Sequence, residues 1–164
     1  MVIFSEFDKN AKIRLFKGAV IAALTTMIIT TAFFIFNYDP PVAEYNGIVY
    51  STSAADEEEI QKFAEQFGLK TKKEPVFVKE ITIPEQFNEV YEHYNDIQKS
   101  VGLDLEKYKK AKCRLLSYRL DGYNGDDRVL LNLIICDDRV VAGDISEEKY
   151  NGFMLSLAGE SVSY

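Results

Sequence analysis

The chain is poor in the residues that build metal sites and disulfide scaffolds. Its 164 residues include two cysteines, one histidine and no tryptophan. Two cysteines exclude a disulfide-dense scaffold and a four-cysteine zinc site, and the single histidine, His93, excludes a histidine-rich metal site. Basic residues are also scarce, 19 against 26 acidic ones, for a net charge of −7. A nucleic-acid partner is therefore not expected, because phosphate neutralisation needs a basic surface.

The short motifs that bind common cofactors are missing as well. There is no glycine-rich phosphate loop, dinucleotide fingerprint, C-x-x-C pair or H-x-x-x-H pair. We therefore predict no cofactor and assign no catalytic, cofactor-binding or metal-binding residue. Acidic side chains are plentiful enough for a hydrolase with paired carboxylates, and Cys113 with His93 could serve as nucleophile and base. An enzymatic function is left open, but it is not favoured.

One long apolar run stands near the start of the chain. Residues 18–36 read GAVIAALTTMIITTAFFIF, 19 residues without a charge. A helix of that length is about 28 Å long, close to the thickness of a bilayer's hydrocarbon core. The flank 1–17 places Lys12, Arg14 and Lys17 next to the run, so the positive-inside rule predicts a cytoplasmic N-terminus. The lipid bilayer is thus the predicted partner of residues 18–36.

Two other interpretations of this run are weaker. A buried helix of a soluble protein rarely has 19 uncharged residues in succession. A cleaved signal peptide has a shorter apolar region that ends at small residues. Thr30-Thr31-Ala32 fits such a cleavage site, but the apolar run continues to Phe36. An uncleaved signal anchor is therefore favoured, and both targeting interpretations put the rest of the chain outside the cytoplasm.

The rest of the chain is expected to be a tether and one folded domain. Residues 1–17 are too short to fold alone, and residues 37–52 begin with Pro40-Pro41 and resemble a tether. Residues 53–164 form the predicted extracytoplasmic domain. Since the flank carries +2 and the span no charge, the net charge of residues 37–164 is −9. Such a domain is repelled by anionic lipid headgroups.

Periodicity predicts an α+β fold for this domain. Ser53 can cap a helix that ends at Gly68, residues 75–83 alternate like a strand, and Pro84 can begin a second helix that ends at Gly102. The second helix has an apolar stripe, which we expect to face the core: Phe87, Val90, Tyr91, Tyr94, Ile97 and Val101. Three more strands and a short helical end after Ser146 complete a four-stranded, mainly antiparallel sheet with helices packed on one face.

The two longest strands predict their own register. Asn124-Gly125 is a strong hairpin signal between residues 112–121 and 128–136. If these two residues are the turn, Leu116 faces Leu133 and Tyr118 faces Leu131 on an apolar side. Ser117 then faces Asn132 and Asp121 faces Arg128 on a mostly polar side.

The same register places Cys113 opposite Cys136. They would form a hydrogen-bonded pair with Cα atoms about 5.5 Å apart, within disulfide range. Two alternatives are open: a disulfide, which an oxidising compartment allows, or two half-buried thiols that act as small apolar residues.

A set of residues in the predicted domain resembles a family signature. Its members are Tyr91, Tyr94, Asn95, Gln98, Gly102, Asp104, Leu105 and Tyr108, followed by Gly143-Asp144 and Gly152-Phe153-Met154. The pattern Y-x-x-Y-N-x-x-Q-x-x-x-G-x-D-L resembles that of an uncharacterised Gram-positive bacterial family, catalogued as a domain of unknown function, over about residues 55–158. That family usually has a glycine near Lys110-Ala111, which this chain lacks. The resemblance implies a membrane-anchored or secreted small α+β domain and supplies no activity.

The motif residues have an architectural and a functional interpretation. Asn95 and Gln98 lie three apart and off the apolar stripe, so they could bond the loop that begins at Gly102. Asp104 could cap a short turn over Leu105–Tyr108. The functional alternative is a polar recognition patch, with these members: Tyr94, Asn95, Gln98, Asp104 and Asp144.

Together these features favour a single-pass membrane protein with a non-catalytic interaction or sensing domain outside the cell, bound to a protein partner that the sequence does not identify. Two alternatives are an extracytoplasmic hydrolase that uses carboxylates or Cys113, and an accessory subunit of a membrane complex. In the last case the span itself would pack against another helix, which small residues permit. The span offers Gly18, Ala19, Ala22 and Ala23 for such packing.

Overall fold

The computed structural model describes residues 3–37, 39–125, 128–149 and 151–161. It divides the chain into two compact units, Met1–Pro40 and Pro41–Tyr164.

The first unit is one helix, α1 (Ile3–Asn37). Its stretch Ala11–Phe36 is 26 residues long and contains 18 consecutive residues with a mean hydropathy of 2.3, none of which is buried. Three of its threonines satisfy their hydroxyls locally: Thr25 donates to the carbonyl oxygen of Ile21, Thr26 to that of Ala22 and Thr30 to that of Thr26. The predicted span 18–36 thus lies within a helix long and apolar enough to cross a membrane.

The second unit begins with a hairpin of β1 (Val42–Tyr45) and β2 (Ile48–Ser51). Asn46 and Gly47 both have positive φ, 52° and 78°, as a two-residue hairpin turn requires. Tyr50 is buried in the domain core and donates its hydroxyl to the carbonyl oxygen of Val101 at 2.6 Å. Residues 42–51 therefore belong to the folded unit and differ from the tether predicted for 37–52.

Two α-helices and a 3₁₀ helix follow along the chain. Helix α2 (Glu57–Gln66) is capped by Asp56, whose carboxylate accepts from the amide of Glu59, so the predicted cap at Ser53 is wrong. Helix α3 (Glu89–Ser100) is capped by Asn88 and begins five residues after Pro84. The 3₁₀ helix η1 (Leu105–Tyr108) is capped by Asp104, which confirms the predicted role of that carboxylate.

The main sheet has five antiparallel strands in chain order. They are β3 (Phe77–Thr82), β4 (Lys112–Arg119), β5 (Val129–Cys136), β6 (Arg139–Glu147) and β7 (Met154–Leu155). The α+β class is confirmed, and the predicted strand number of four is wrong. Ser146 lies within β6, and the segment predicted as a helical end forms β7, which pairs with Ile145 and Ser146 along the open edge of β6.

The predicted register of β4 and β5 is confirmed. Leu116 pairs with Leu133, Tyr118 with Leu131, and Ser117 with Asn132. The turn itself differs from the prediction, because the ladder ends at Arg119 and Leu130 and Tyr123–Gly125 form a 3₁₀ turn. A longer connection centred on the same point keeps the same register. Asp121 does not enter the ladder with Arg128; it lies 2.6 Å from Lys72 Nζ.

The helices cover both faces of the sheet. Successive residues of a strand point to opposite sides. On one side Leu116, Tyr118, Leu131 and Leu133 belong to a core with Tyr50 of β2 and Ile60 and Phe63 of α2. On the other side lies a second core of Ile83, Leu105, Cys113, Ile134, Cys136 and Ala142, with Tyr94 of α3 against it. The predicted packing on one face is therefore wrong. Since β5 reads VLLNLIIC and is apolar on both sides, each face needs a cover.

Candidate functional site

Helix α3 presents a partly polar face to the domain. Asn95, Ile97 and Gln98 are buried, at 1 %, 5 % and 0 % exposure, whereas Val90 of the predicted apolar stripe is 73 % exposed. The buried face is therefore rotated from the predicted one. Polar side chains tolerate burial when their hydrogen bonds are satisfied inside the protein, and the partners of this face come from the strands and from the loop after Gly102, although Gln98 Nε2 is buried without a hydrogen-bond partner among the described residues.

A chain of hydrogen bonds ties α3 to the central strands. The Tyr94 hydroxyl donates to Asp144 Oδ1 at 3.0 Å, and Asn132 Nδ2 donates to Asp144 Oδ2 at 2.8 Å. Asn132 Oδ1 in turn accepts from the Ser117 hydroxyl at 2.7 Å, and its amide also donates to Ser146 Oγ. We call Ser117, Asn132, Asp144 and Tyr94 the polar network. It crosses from β4 through β5 and β6 to α3.

The other motif residues organise the chain around the polar network. Asn95 Nδ2 donates to Asp104 Oδ1 at 2.9 Å, and Asn95 Oδ1 accepts from the amide of Leu105 at 2.7 Å. These bonds hold the loop after Gly102, as the sequence predicted for Asn95. Gln98 behaves differently from the prediction, since its Oε1 accepts from the amide of Gly143 at 2.8 Å, on the edge of β6. Asn95 and Gln98 are thus architectural, and their burial excludes an exposed recognition patch made of all five residues.

Burial sets the protonation chemistry at the centre of the polar network. Asp144 is only 3 % exposed. Desolvation by burial raises the pKa of its carboxyl above the usual value, against hydrogen bonds from Asn132, Tyr94 and Ser146 that lower it. Desolvation and the Asp144 carboxylate together hold the pKa of the Tyr94 hydroxyl well above its usual range. Tyr94 is therefore a fixed donor to Asp144 at ordinary pH.

A groove of about 900 Å³ opens over the polar network, between α3 and the sheet. Asp144, Asn132 and Tyr94 line its inner part, while the exposed residues Glu89 and His93 of α3 lie along its rim. The remaining lining is apolar or aromatic: Ile81, Val90, Tyr91, Ile97, Leu115, Ile134 and Met154. Apolar walls around a few convergent polar groups are typical of a site for a small ligand, and the volume is in the usual range. We call this cavity the α3 groove.

The two cysteines lie on the sheet face that α3 covers, near another concavity. In the structure Cys113 and Cys136 form a disulfide, with their Cα atoms 4.5 Å apart. This spacing is that of a non-hydrogen-bonded pair, shorter than the hydrogen-bonded spacing expected from a two-residue turn. Cys113 lines a polar concavity with Lys112, Arg114 and Asp138, whereas His93 lines the α3 groove. The predicted nucleophile and base are therefore not brought to one site.

Among the described residues, no group of three or more His, Cys, Asp and Glu side chains is arranged to hold a metal ion.

Ser117 and Asn132 are site residues that the sequence analysis did not identify. The register placed them opposite each other on the side of the hairpin that otherwise packs in a core, and a polar pair among apolar neighbours is the signal that was available. Without the position of β6, nothing in the pattern connected them with Asp144.

Comparison with known proteins places these residues in a family. A family model described as "Domain of unknown function (DUF4830)" matches residues 63–145. No curated protein and no solved structure matches the chain. The matched range runs from α2 to β6 and includes the polar network and the five motif residues. Because it covers half of the chain, the protein belongs to this family, the DUF4830 domains of unknown function.

Proposed function

We propose that this protein is a single-pass membrane protein whose α+β unit lies outside the cytoplasm and works as a non-catalytic binding or sensing module. Helix α1 supports the anchor. Its stretch Ala11–Phe36 leaves large apolar side chains uncovered, with Phe34 at 76 % and Phe36 at 87 % exposure. An apolar surface of this size is costly in water and stable in lipid.

The direction of insertion follows from the charges beside the span. Lys12, Arg14 and Lys17 lie at one end of the apolar stretch, and cytoplasmic flanks are rich in such residues. The net charge of −9 beyond the span fits a domain that stands off an anionic membrane surface. The Gram-positive origin belongs to this proposal and rests on the motif resemblance alone.

The α3 groove is the observation that carries the binding function. It is an open cavity with apolar walls over a buried, hydrogen-bonded carboxylate. The hydrolase alternative that uses Cys113 draws no comparable support from the described residues, since the Cys113 sulfur is bonded to Cys136 and lies apart from His93. For the carboxylate alternative, Asp144 is buried and occupied by hydrogen bonds from Tyr94 and Asn132. We therefore favour binding over catalysis at this domain.

Topology is tested with the full chain in intact cells. One epitope is placed before residue 1 and another after residue 164, and protease is added before and after the membrane is opened. We expect the second epitope to be lost from intact cells and the first to be lost only after opening. Retention of the second epitope in intact cells, with the domain in the soluble internal extract, would overturn the proposal.

The binding function is tested against the accessory-subunit alternative by exchange of the span. A photo-crosslinking residue is placed at the exposed position Val90 in the full chain, and residues 18–36 are replaced by an unrelated membrane helix in a second version. A binding module retains its crosslinked products after the exchange. Loss of every product after the exchange would favour the accessory subunit, and turnover of a hydrolase substrate by the purified full chain would favour the enzyme.

A further inference from the structure

The α3 groove is lined by more acidic than basic side chains. Its described lining contains two carboxylates, Glu89 on the rim and Asp144 inside, one histidine on the rim, His93, and no lysine or arginine. Asp144 accepts hydrogen bonds from neutral groups, the Tyr94 hydroxyl, the Asn132 amide and the Ser146 hydroxyl, and no described cation is among the groups that shift the pKa of its carboxyl. Removing a carboxylate from water is costly unless an opposite charge accompanies it.

The carboxylate of Asp144 has acceptor capacity left for a ligand. An ionised carboxylate offers about four acceptor positions; two bonds, from Tyr94 and Asn132, fill one on each oxygen, and the Ser146 bond takes a third, so about one position remains. The same two bonds hold the carboxylate in place, so a donor that enters the groove meets a fixed acceptor. Fixed polar groups of this kind lower the ordering cost of binding.

The walls of the groove select the rest of the ligand. Leu115 and Ile134 of the sheet and Ile97 of α3 surround the polar centre with apolar surface. A fully polar cation would lose its hydration there without apolar contacts in return, while an apolar body would be drawn out of water. The groove therefore combines an apolar site with a negative centre.

We infer that the α3 groove binds a small organic cation, an ammonium group on an alkyl or aryl body, with the ammonium paired to Asp144. This inference rests on the proposed binding function and names the chemical class of its ligand. Charge complementarity carries the choice: both ionisable carboxylates of the lining favour a cation, and the acidic domain around them attracts one.

The test uses three probes of one shape: phenylbutylamine, phenylbutanol and phenylbutyrate. Each is titrated by calorimetry into the full chain in lipid nanodiscs, with empty nanodiscs as the blank for partitioning into lipid. We expect the amine to bind at least about tenfold more tightly than the alcohol, since a charge-assisted bond adds that much, and the carboxylate to bind least. Equal binding of the three probes would overturn the cationic class while leaving a binding groove in place.

Two variants link the preference to the groove. Asp144→Asn should remove the difference between amine and alcohol. Val90→Lys adds a cation at a groove position that is 73 % exposed, where folding is not at risk, and should weaken amine binding several-fold. Its matched control is Val49→Lys on β2, 63 % exposed and outside the groove lining, which should leave binding unchanged.

The outcomes separate this inference from the proposed function. An amine preference that Val90→Lys reduces and Val49→Lys leaves intact supports the cationic ligand. An amine preference that neither Val90→Lys nor Asp144→Asn alters would locate binding elsewhere and overturn it. Failure of all three probes to bind would also overturn it, while crosslinking from position 90 still decides whether the domain is a binding module.

Discussion

Lys110 adopts a backbone conformation that suits glycine. Its φ is +67°, in the left-handed region, where a Cβ atom costs about 1–2 kcal/mol. It lies in the turn between η1 and β4, where the family resemblance predicted a glycine. The structure keeps this turn with a lysine whose Nζ lies 2.6 Å from Glu85, and both side chains of that pair are more than 60 % exposed. An exposed pair of this kind adds little stability.

Replacement of this lysine by glycine should therefore stabilise the protein. We expect Lys110→Gly to raise the free energy of unfolding by up to about 1 kcal/mol, because the relief of left-handed strain exceeds the loss of an exposed ion pair and the added disorder of the unfolded chain. The matched control is Lys109→Gly, at a neighbour with φ −51°, which should lower the free energy of unfolding, since glycine there adds disorder to the unfolded chain and removes the contact of Lys109 Nζ with the Phe87 ring, 4.8 Å from its centroid. Urea unfolding followed by circular dichroism measures both, and a loss of stability in Lys110→Gly would contradict the prediction.

Asp144 gives stability an unusual dependence on pH. Burial raises the pKa of its carboxyl in the folded state. Between the ordinary value near 4 and that raised value, the folded protein keeps a proton that the unfolded chain has released. The contribution of Asp144 to the free energy of unfolding therefore falls as pH rises through this window. We expect Asp144→Asn to lose this dependence, which urea unfolding at a series of pH values measures.

Asp104 is the control, because its contribution to the free energy of unfolding changes with pH in the opposite direction. Burial raises the pKa of its carboxyl, but bonds from Asn95 and the Glu106 amide and the charges of Lys99 and Lys107 outweigh it, so the pKa is lowered overall. Its contribution is present above the ordinary carboxyl pKa and is lost as pH falls through the lowered value. For each variant, the change in the free energy of unfolding relative to the unaltered protein is plotted against pH. Plots for Asp104→Asn and Asp144→Asn that slope in the same direction would contradict the assignment of these two environments.

At the scale of elements, Gly102 fits the loop after α3 against the β1–β2 hairpin. Its φ is +83°, and a Cβ atom there would overlap the carbonyl oxygen of Glu44 in β1. Backbone atoms on both sides leave no flexible side chain to move away. The glycine of the motif is therefore required twice, by the left-handed turn that ends α3 and by the close approach of β1.

Two alanine variants separate these requirements. Gly68→Ala, after α2, meets only the left-handed strain, since φ is +72° and nothing lies near the added Cβ, so we expect a loss of about 1 kcal/mol. Gly102→Ala introduces both the left-handed strain and the overlap with Glu44, so we expect the free energy of unfolding to fall by about 3 kcal/mol or more. Denaturant unfolding compares them. Equal losses would mean that the hairpin can move away from the loop at little cost.

The elements on the sheet edge show why α3 buries polar groups. The outer edge of β6 is covered in three places: β7 pairs with Ile145 and Ser146, Gln98 bonds the Gly143 amide, and Thr52 accepts from the Val140 amide. A buried strand amide without a partner would cost about 1–3 kcal/mol. Gln98 completes a strand edge, a role that an apolar side chain at that position could not fill.

For the whole molecule, the disulfide stabilises the fold and also depends on the compartment in which the domain lies. Cys113 and Cys136 are 23 residues apart in sequence and join β4 to β5. Closing a loop of that length stabilises a protein by about 3 kcal/mol, mainly by restricting the unfolded chain. Such a bond persists in an oxidising compartment and not in the cytoplasm. The redox state of Cys113 and Cys136 in cells therefore tests the proposed position of the domain outside the cytoplasm.

We predict that protein recovered from intact cells and denatured without reductant contains no thiol that a maleimide can label. Reductant should lower the free energy of unfolding by about 3 kcal/mol, to the level of the double variant Cys113→Ser/Cys136→Ser. The double variant is the control and should not respond to reductant. Full labelling of both cysteines before reduction would contradict the prediction and the proposed compartment together.

The long apolar helix, the β4–β5 register and the Asp104 cap could be predicted because each depends on neighbours in the chain. Hydrophobic length, alternation around one turn and a cap two residues from its amide are all local properties. The burial of Asn95 and Gln98, the fifth strand and the placement of α2 and α3 on opposite faces could not be predicted. Each depends on partners that meet only after folding, such as Gln98 with Gly143, 45 residues away. A period along the chain tells which side chains are apolar, but burial of a polar side chain depends on where its hydrogen-bond partner comes to lie.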